Sequence, residues 1–273
     1  MIGFNPKVIA ERKLTTLILL ILFISSGYLF NLASWPRESG FPGMLGMASF
    51  LLSTFVGVMA FIKFLTRRKN KYLFIGSGFL AASIVEGYSL TVSLGLADTL
   101  WSAGRILLSS FLLLSLKDWK EGEGVQRVLR PRVYISAICS AVLIIAAVTL
   151  LPSFNPYWQF LIFSRPLEIT AMILFGFAAF GYWQKGYWKF KFFEFWFVLS
   201  LLAAVFGQAN MAMSLRSLDA MFYAGYMFKL LSYLFALVGL LMSNYAAYKE
   251  IEAEKKIHAG HTSGEWLTKE QSK

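Results

Sequence analysis

The sequence predicts an all-α fold, a polytopic integral membrane bundle of eight transmembrane helices with both termini in the cytoplasm. Of the 273 residues, 57% are hydrophobic and only 15% are charged, a balance far from that of soluble proteins. Eight apolar stretches are long enough to cross a bilayer, which takes about 20 residues at a rise of 1.5 Å per residue. The basic residues cluster between alternate stretches, as the positive-inside bias requires.

The first four spans are predicted at residues 14–34, 43–64, 72–95 and 98–116. The first span follows a basic segment but extends about 19 residues beyond Lys13, longer than the core of a signal peptide, so we expect it to be retained. The second ends at a run of basic residues that starts with Lys63. The third and fourth are expected to form a tight hairpin that turns near Gly95 to Asp98.

The last four spans are predicted at residues 133–151, 166–184, 192–213 and 220–246. A charged segment from Lys117 to Arg132 precedes the fifth span and is expected to be a solvated loop. The sixth starts at Pro166, and all seven prolines of the chain lie at span ends or in loops. The eighth has high helix propensity with no helix breaker before Gly260, so we expect it to continue into the cytoplasm.

The charge pattern sets the predicted orientation. With a cytoplasmic N-terminus, the inner segments hold 21 of the 26 basic residues. The net charge of +11 is then mostly a topological signal, so we expect the lipid bilayer as a partner and no nucleic acid. Residues 1–248 are predicted to form one transmembrane domain in the cell membrane, and residues 249–273 a short cytoplasmic helical tail.

We select four ionisable residues of the predicted spans as candidates for a site, because a charge in a span is expensive and usually faces the bundle interior with a partner. They are Glu86, Arg105, Glu168 and Lys229. In the predicted hairpin, Glu86 and Arg105 both lie about 10 Å below the outer surface, so we expect them to form an ion pair. Lys229 lies at a depth of about 15 Å by the same calculation. All four therefore belong to the outer half of the membrane.

Amides and aromatic residues at similar depth complete a candidate site. Gln208 and Asn210 lie at the outer end of the seventh span, and Trp101 and Tyr226 are expected to form its walls. Two acids and two bases balance, so interhelical salt bridges that only fix packing remain one interpretation. The other is a cavity that opens outward and binds an unknown small ligand, whose charged end pairs with Arg105 or Lys229.

Motifs for catalysis or cofactor binding are not recognisable. The two histidines, His258 and His261, are both in the tail, so no imidazole pair within the membrane can ligate haem or a metal. Cys139 is the one cysteine, which excludes a disulfide framework, and its apolar surroundings predict a buried side chain. We find no P-loop, dinucleotide fingerprint or nucleophile elbow. The sequence therefore predicts a protein that is not an enzyme, with no cofactor and no metal.

Three segments resemble the third type of membrane-associated sensor domain, the multi-span input module of bacterial and archaeal histidine kinases and cyclic-di-GMP enzymes. They are residues 71–80 (KYLFIGSGFL), 100–105 (LWSAGR) and 224–234 (AGYMFKLLSYL). The resemblance extends over about residues 14 to 248. Tyr226 stands where the family pattern commonly has histidine, and the segment Ile84 to Ser89 lacks a second one. No output domain is fused, so we expect either a separate cytoplasmic effector or a shortened sensor module.

These observations favour a sensor or receptor-like module that binds a small ligand in its outer half and signals through the last helix. Two alternatives stay open. A small-solute transporter would need access from both faces. The absence of prolines in mid-span makes this interpretation less favoured, because transporters commonly build their sites from broken helices. A structural or assembly role, including a homodimer, would use glycines for close helix contacts. These glycines are Gly57, Gly76, Gly78, Gly176 and Gly181.

Overall fold

The apolar runs of the sequence form long helices. The structure, a computed structural model, describes residues 6–32, 40–119, 123–150, 165–215 and 218–270. Within these residues the chain forms eight α-helices and one 3₁₀ turn at Tyr187–Lys189. The helices are α1 (Pro6–Leu32), α2 (Gly40–Arg67), α3 (Asn70–Ser89), α4 (Leu94–Leu116), α5 (Glu123–Leu150), α6 (Pro166–Gln184), α7 (Phe192–Met213) and α8 (Ala220–Glu270). The all-α prediction is confirmed.

Six of the helices in the described part of the chain are long and apolar enough to cross a membrane, namely α2 and α4 through α8. The protein is therefore a multi-pass membrane protein. Helices α1 and α3 are outside this group. The described part of α1 begins with charged residues that include Glu11, Arg12 and Lys13, and α3 contains several polar residues that lower its mean hydropathy.

Helices α3 and α8 each pack against three other helices. Helix α3 packs against α2, α4 and α5, whereas α8 packs against α7, α2 and α1. Helix α5 is peripheral, because only 17% of its apolar span is buried, compared with 67% for α4 and for α7. The periphery is apolar, as expected of a surface in contact with lipid.

Helix α1 is held at its charged end. The guanidinium of Arg12 donates a hydrogen bond of 2.7 Å to the carbonyl oxygen of Trp188, in the connection between α6 and α7. The same guanidinium lies over the rings of Phe192 and Phe195, at 5.2 and 5.1 Å from their centroids. Arg12 is buried by these contacts, so α1 is fixed against the start of α7.

Glycines allow two pairs of helices to approach closely. A Cβ atom on Gly225 of α8 would lie 3.0 Å from the carbonyl oxygen of Gly207 on α7. A Cβ atom on Gly76 of α3 would lie 3.2 Å from the carbonyl oxygen of Gly57 on α2. Because a real Cβ atom would push the backbones apart, these positions require glycine. Gly176, one of the glycines selected from the sequence, has no neighbour within 4 Å of such an atom.

Three sequence-based expectations are corrected by the fold. Helix α5 begins at Glu123, so much of the expected loop before residue 132 is helical. Helix α8 passes through Gly260 and continues to Glu270, because one glycine costs a helix only about 1 kcal/mol. Cys139 is exposed on the peripheral face of α5. An apolar residue that faces lipid cannot be distinguished by composition from one that faces the core.

The turn between α3 and α4 is also displaced from its expected place. Helix α3 ends at Ser89 and α4 begins at Leu94, so Gly95 and Asp98 belong to the first turns of α4. Arg105 therefore lies eleven residues after the start of α4, about 16 Å along its axis. Glu86 lies only three residues, about 5 Å, from the end of α3. The two side chains are not at the equal depth that the sequence predicted.

Candidate functional site

The carboxylate of Glu86 receives three donors from two other helices. Lys229 Nζ lies 2.9 Å from Oε1, and the hydroxyl of Tyr233 donates to the same oxygen at 2.7 Å. The hydroxyl of Ser49 donates to Oε2 at 2.9 Å. Glu86 is 3% exposed and Lys229 is 4% exposed. The expected ion pair between Glu86 and Arg105 is therefore wrong, because Lys229 is the direct ionic partner of Glu86.

Arg105 reaches the same carboxylate through Tyr233. Its Nη1 donates to the Tyr233 hydroxyl at 2.9 Å, and that hydroxyl in turn donates to Glu86. The guanidinium also lies 5.1 Å from the centroid of the Phe175 ring. Tyr233 is one helical turn beyond Lys229 on α8, so it lies at the depth where it can bridge the shallow acid and the deeper base.

The second acid, Glu168, is connected to Arg105 by the side-chain amide of Gln208. When this amide is oriented with its oxygen toward Arg105, it accepts from Nε at 2.7 Å and from Nη2 at 3.1 Å. Its nitrogen then donates to Glu168 Oε2. The other carboxylate oxygen of Glu168 accepts from the hydroxyl of Ser102 at 2.6 Å. The second acid is thus hydrogen-bonded but has no direct salt bridge with either base.

These contacts form one continuous chain of hydrogen bonds, which we call the polar network. Its two formal positive charges and two formal negative charges cancel. A buried group of charges is tolerated in an apolar bundle when the charges are paired and their remaining atoms are hydrogen-bonded. The network comprises Ser49 of α2, Glu86 of α3, Ser102 and Arg105 of α4, Glu168 of α6, Gln208 of α7, and Lys229 and Tyr233 of α8.

Two aromatic residues close one side of the polar network, as the sequence predicted. The rings of Trp101 and Tyr226 meet edge to face, with centroids 4.8 Å apart. The indole nitrogen of Trp101 donates to the hydroxyl of Ser89 at 2.8 Å, which fixes the ring. The ammonium of Lys229 lies 5.3 Å from the centroid of the Tyr226 ring.

A small cavity lies inside this wall. Its volume is about 10 Å³, enough for about one water molecule. Tyr226 borders the cavity, and its hydroxyl has no hydrogen-bond partner among the described residues. Six of the eight residues selected from the sequence line the cavity, and Met211 and Gly225 complete its lining. The six are Trp101, Arg105, Glu168, Gln208, Tyr226 and Lys229. The expected residues converge, but the space between them is much smaller than a typical ligand site.

Asn210 does not join the polar network. Its side-chain nitrogen donates to the carbonyl oxygen of Phe206, one turn earlier on the same helix, at 2.8 Å. Since Gln208 and Asn210 are two residues apart on α7, they point in different directions, about 200° apart around the axis. The structure therefore brings Gln208, but not Asn210, into contact with the charges.

Sequence analysis missed three parts of this region. Tyr233 could have been selected from the sequence, because it lies four residues after Lys229 and therefore on the same face of α8. No feature of the sequence distinguishes Ser49, except that it is a polar residue in an apolar run. The third part is the buried pair of Asp98 and Arg165, with atoms 3.2 Å apart, of which one is expected in a turn and the other lies outside the predicted spans. The two residues can be recognised as partners only from the packing of α4 against α6.

No metal-binding cluster of three or more His, Cys, Asp or Glu side chains occurs in the part of the chain that the structure describes. The side chains of His258 and His261 lie outside that part. No protein-family model, curated protein or solved structure matches this chain. The resemblance to the sensor domain therefore stays a prediction from the three sequence segments.

Proposed function

We propose that this chain is a membrane-embedded sensor-like module in which the polar network is the sensing element and α8 is the output. The observation that carries the proposal is the position of α8. This helix supplies Lys229 and Tyr233 to the polar network and then continues unbroken to Glu270. Its 51 residues extend about 76 Å, roughly two and a half times the hydrocarbon thickness of a bilayer.

The proposed topology has eight spans with both termini in the cytoplasm. Helix α3 lies between α2 and α4, both apolar enough to span, so it would share their depth. The apolar part of α1, which follows Lys13, would supply the remaining span. With Cys139 replaced by serine, single cysteines at Lys7 and Lys249 are expected to react with an impermeant maleimide only from the cytoplasmic side. Labelling of either one from the outside would refute this topology.

The polar network is coupled to α8 because the Glu86 carboxylate contacts two successive turns of that helix. Glu86 contacts both Lys229 and Tyr233, so a species that displaced Lys229 from Glu86 would remove the ionic contact between α3 and α8. The cavity beside Tyr226 fits a guest the size of one water molecule. A larger ligand would bind only after the side chain of Gln208 moves. Ligand binding would therefore shift a balance between a closed and an opened polar network.

Distance measurements on α8 test this coupling. In a background without Cys139, nitroxide labels at the exposed residues Leu65 of α2 and Tyr248 of α8 report the position of the inner end of α8. We expect Lys229→Met to shift or broaden the distance distribution. The control Lys249→Met removes an exposed lysine from the same helix and should leave the distribution unchanged. A folded Lys229→Met protein with the wild-type distribution would refute the sensor proposal.

A structural role is the second candidate, and the small cavity favours it. A closed polar network with room for about one water is also what a bundle needs to fix the register of its helices. In that case Lys229→Met would lower stability while the inner end of α8 keeps its distances. Counterflow of a solute in liposomes would instead favour the transporter alternative.

A further inference from the structure

We propose a second binding site, for an anion that carries a phosphate group, at the opposite end of the bundle from the turn between α3 and α4. Here α3 and α7 begin while α4 and α6 end. Two neighbouring cavities of about 320 and 310 Å³ share Lys69, Lys71, Lys191 and Glu194 in their linings. We call them together the basic cleft. Each volume lies at the lower end of the range for small-ligand sites. The inference does not depend on the proposed sensor function.

The basic cleft has more cations than its own acids can neutralise. Lys71 forms an ion pair with Glu194, and Lys185 forms one with Asp118 at 2.7 Å. Three further lysines line the larger cavity and have no carboxylate partner among the described residues. They are Lys69, Lys117 and Lys191. The larger cavity therefore keeps a formal charge of about three positive units, which a multiply charged anion would balance.

Two helix N-termini add to this positive potential. Lys69 and Lys191 immediately precede α3 and α7, and both have extended backbone conformations. Neither lysine side chain caps its helix, as expected of a side chain that carries only donors. The two helices have 20 and 22 residues, and the first-turn backbone N–H groups of such helices lack the usual partner within the helix. Helix N-termini of this kind bind phosphate through those N–H groups and the helix dipole.

The walls of the basic cleft suit an organic phosphate or a lipid headgroup. Trp119, Tyr182 and Tyr187 line the larger cavity, and the ring of Trp119 stacks on Phe74 at 4.8 Å between centroids. The ammonium of Lys191 lies 4.4 Å from the centroid of Tyr187. The positive-inside bias explains why lysines lie on this side of a membrane. It does not require that they border one cavity together with two uncapped helix N-termini.

Two probes distinguish the source of the phosphate. For a soluble source, pyrophosphate is titrated by calorimetry into the full-length protein in phosphatidylcholine nanodiscs. For a lipid source, native mass spectrometry compares retention of phosphatidylglycerol with that of phosphatidylcholine. Binding of pyrophosphate alone supports a soluble anion, and selective retention of phosphatidylglycerol alone supports a headgroup. A response to both supports the shared phosphate chemistry.

Matched variants test whether the basic cleft itself is the site. Lys69→Gln with Lys191→Gln is expected to weaken binding of the responding probe roughly five-fold for each charge removed. The control, Lys189→Gln with Lys249→Gln, removes the same charge from lysines that do not line the cleft and should leave affinity within about two-fold.

A separate variant keeps the test decisive if the first double variant fails to fold. Lys117→Gln changes one exposed lysine on another wall and should weaken binding roughly five-fold. The proposal is overturned if wild-type protein binds neither probe. It is also overturned if the control double variant loses as much affinity as the cleft variants.

Discussion

Replacing Lys229 with methionine isolates the central ion pair of the polar network. The substitution leaves the Glu86 carboxylate, which is 3% exposed, with two neutral donors at 2.7 and 2.9 Å, Tyr233 and Ser49. The formal charge of the polar network changes from zero to minus one. Removing one partner of a buried pair costs about 3 to 5 kcal/mol, so we expect a loss of this size in the free energy of unfolding. Unfolding in mixed micelles with rising dodecyl sulfate measures it.

Two double variants separate direct contact from charge balance. Lys229→Met with Glu86→Gln and Lys229→Met with Glu168→Gln both restore a neutral polar network, but only the first removes both members of the contacting pair. We expect the first to recover about 2 kcal/mol and the second less than about 0.5 kcal/mol. The control Lys249→Met should stay within about 0.5 kcal/mol of wild type. Equal recovery in the two double variants, or a loss below about 1 kcal/mol for Lys229→Met, would refute the pairing.

Three further predictions concern other parts of the molecule. Gly225→Ala is expected to lower the free energy of unfolding by about 1 to 3 kcal/mol, whereas Gly176→Ala, in open space, should not lower it. Cys139 should not react with a charged maleimide in intact membranes but should react after denaturation in dodecyl sulfate, because it is exposed on an apolar face where the reactive thiolate does not form. The hydrogen bond from Lys185 lowers the pKa of Asp118. The contact between the two side chains is therefore fully present at pH values above the ordinary pKa of aspartate, and it is lost as the pH falls through the lowered pKa. Lys185→Gln should raise that pKa again, as measured by carboxyl NMR titration.

Helices and buried charges were predictable from the sequence because a bilayer imposes both. A span needs a long apolar run, and a charge within it needs a partner, so Glu86 and Lys229 could be selected without knowledge of the fold. In the structure Lys229 lies with Arg105 and Glu168 around one small cavity, and Glu86 contacts Lys229 from outside its lining.

The identity of each partner could not be predicted. Sequence sets the depth of a residue along its own helix, but not the relative height or rotation of neighbouring helices. A shift of a few residues in the turn after Ser89 placed Arg105 deeper than Glu86, and Tyr233 became the bridge between them. Likewise, Asn210 lies close to Gln208 in sequence but on a different side of α7.

The basic cleft could not be predicted from the charge pattern of the sequence. The positive-inside bias accounts for Lys69, Lys117 and Lys191 one at a time, so nothing in their spacing indicates a shared cavity. Only the packing of the ends of α4 and α6 beside the starts of α3 and α7 brings them together.

The placement of Glu86 on α3 has a consequence for synthesis of the protein. Tyr233, which donates to Glu86, is made 147 residues later, a delay of roughly 7 to 30 s at ordinary translation rates. On the proposed topology, α3 must leave the ribosome and wait for the last helix before its acid is neutralised. Until then Glu86 has to stay protonated or remain next to water in the insertion machinery. Helix α8 is therefore the one that completes the polar network, and a nascent chain that stops before it would leave Glu86 without its ionic partner.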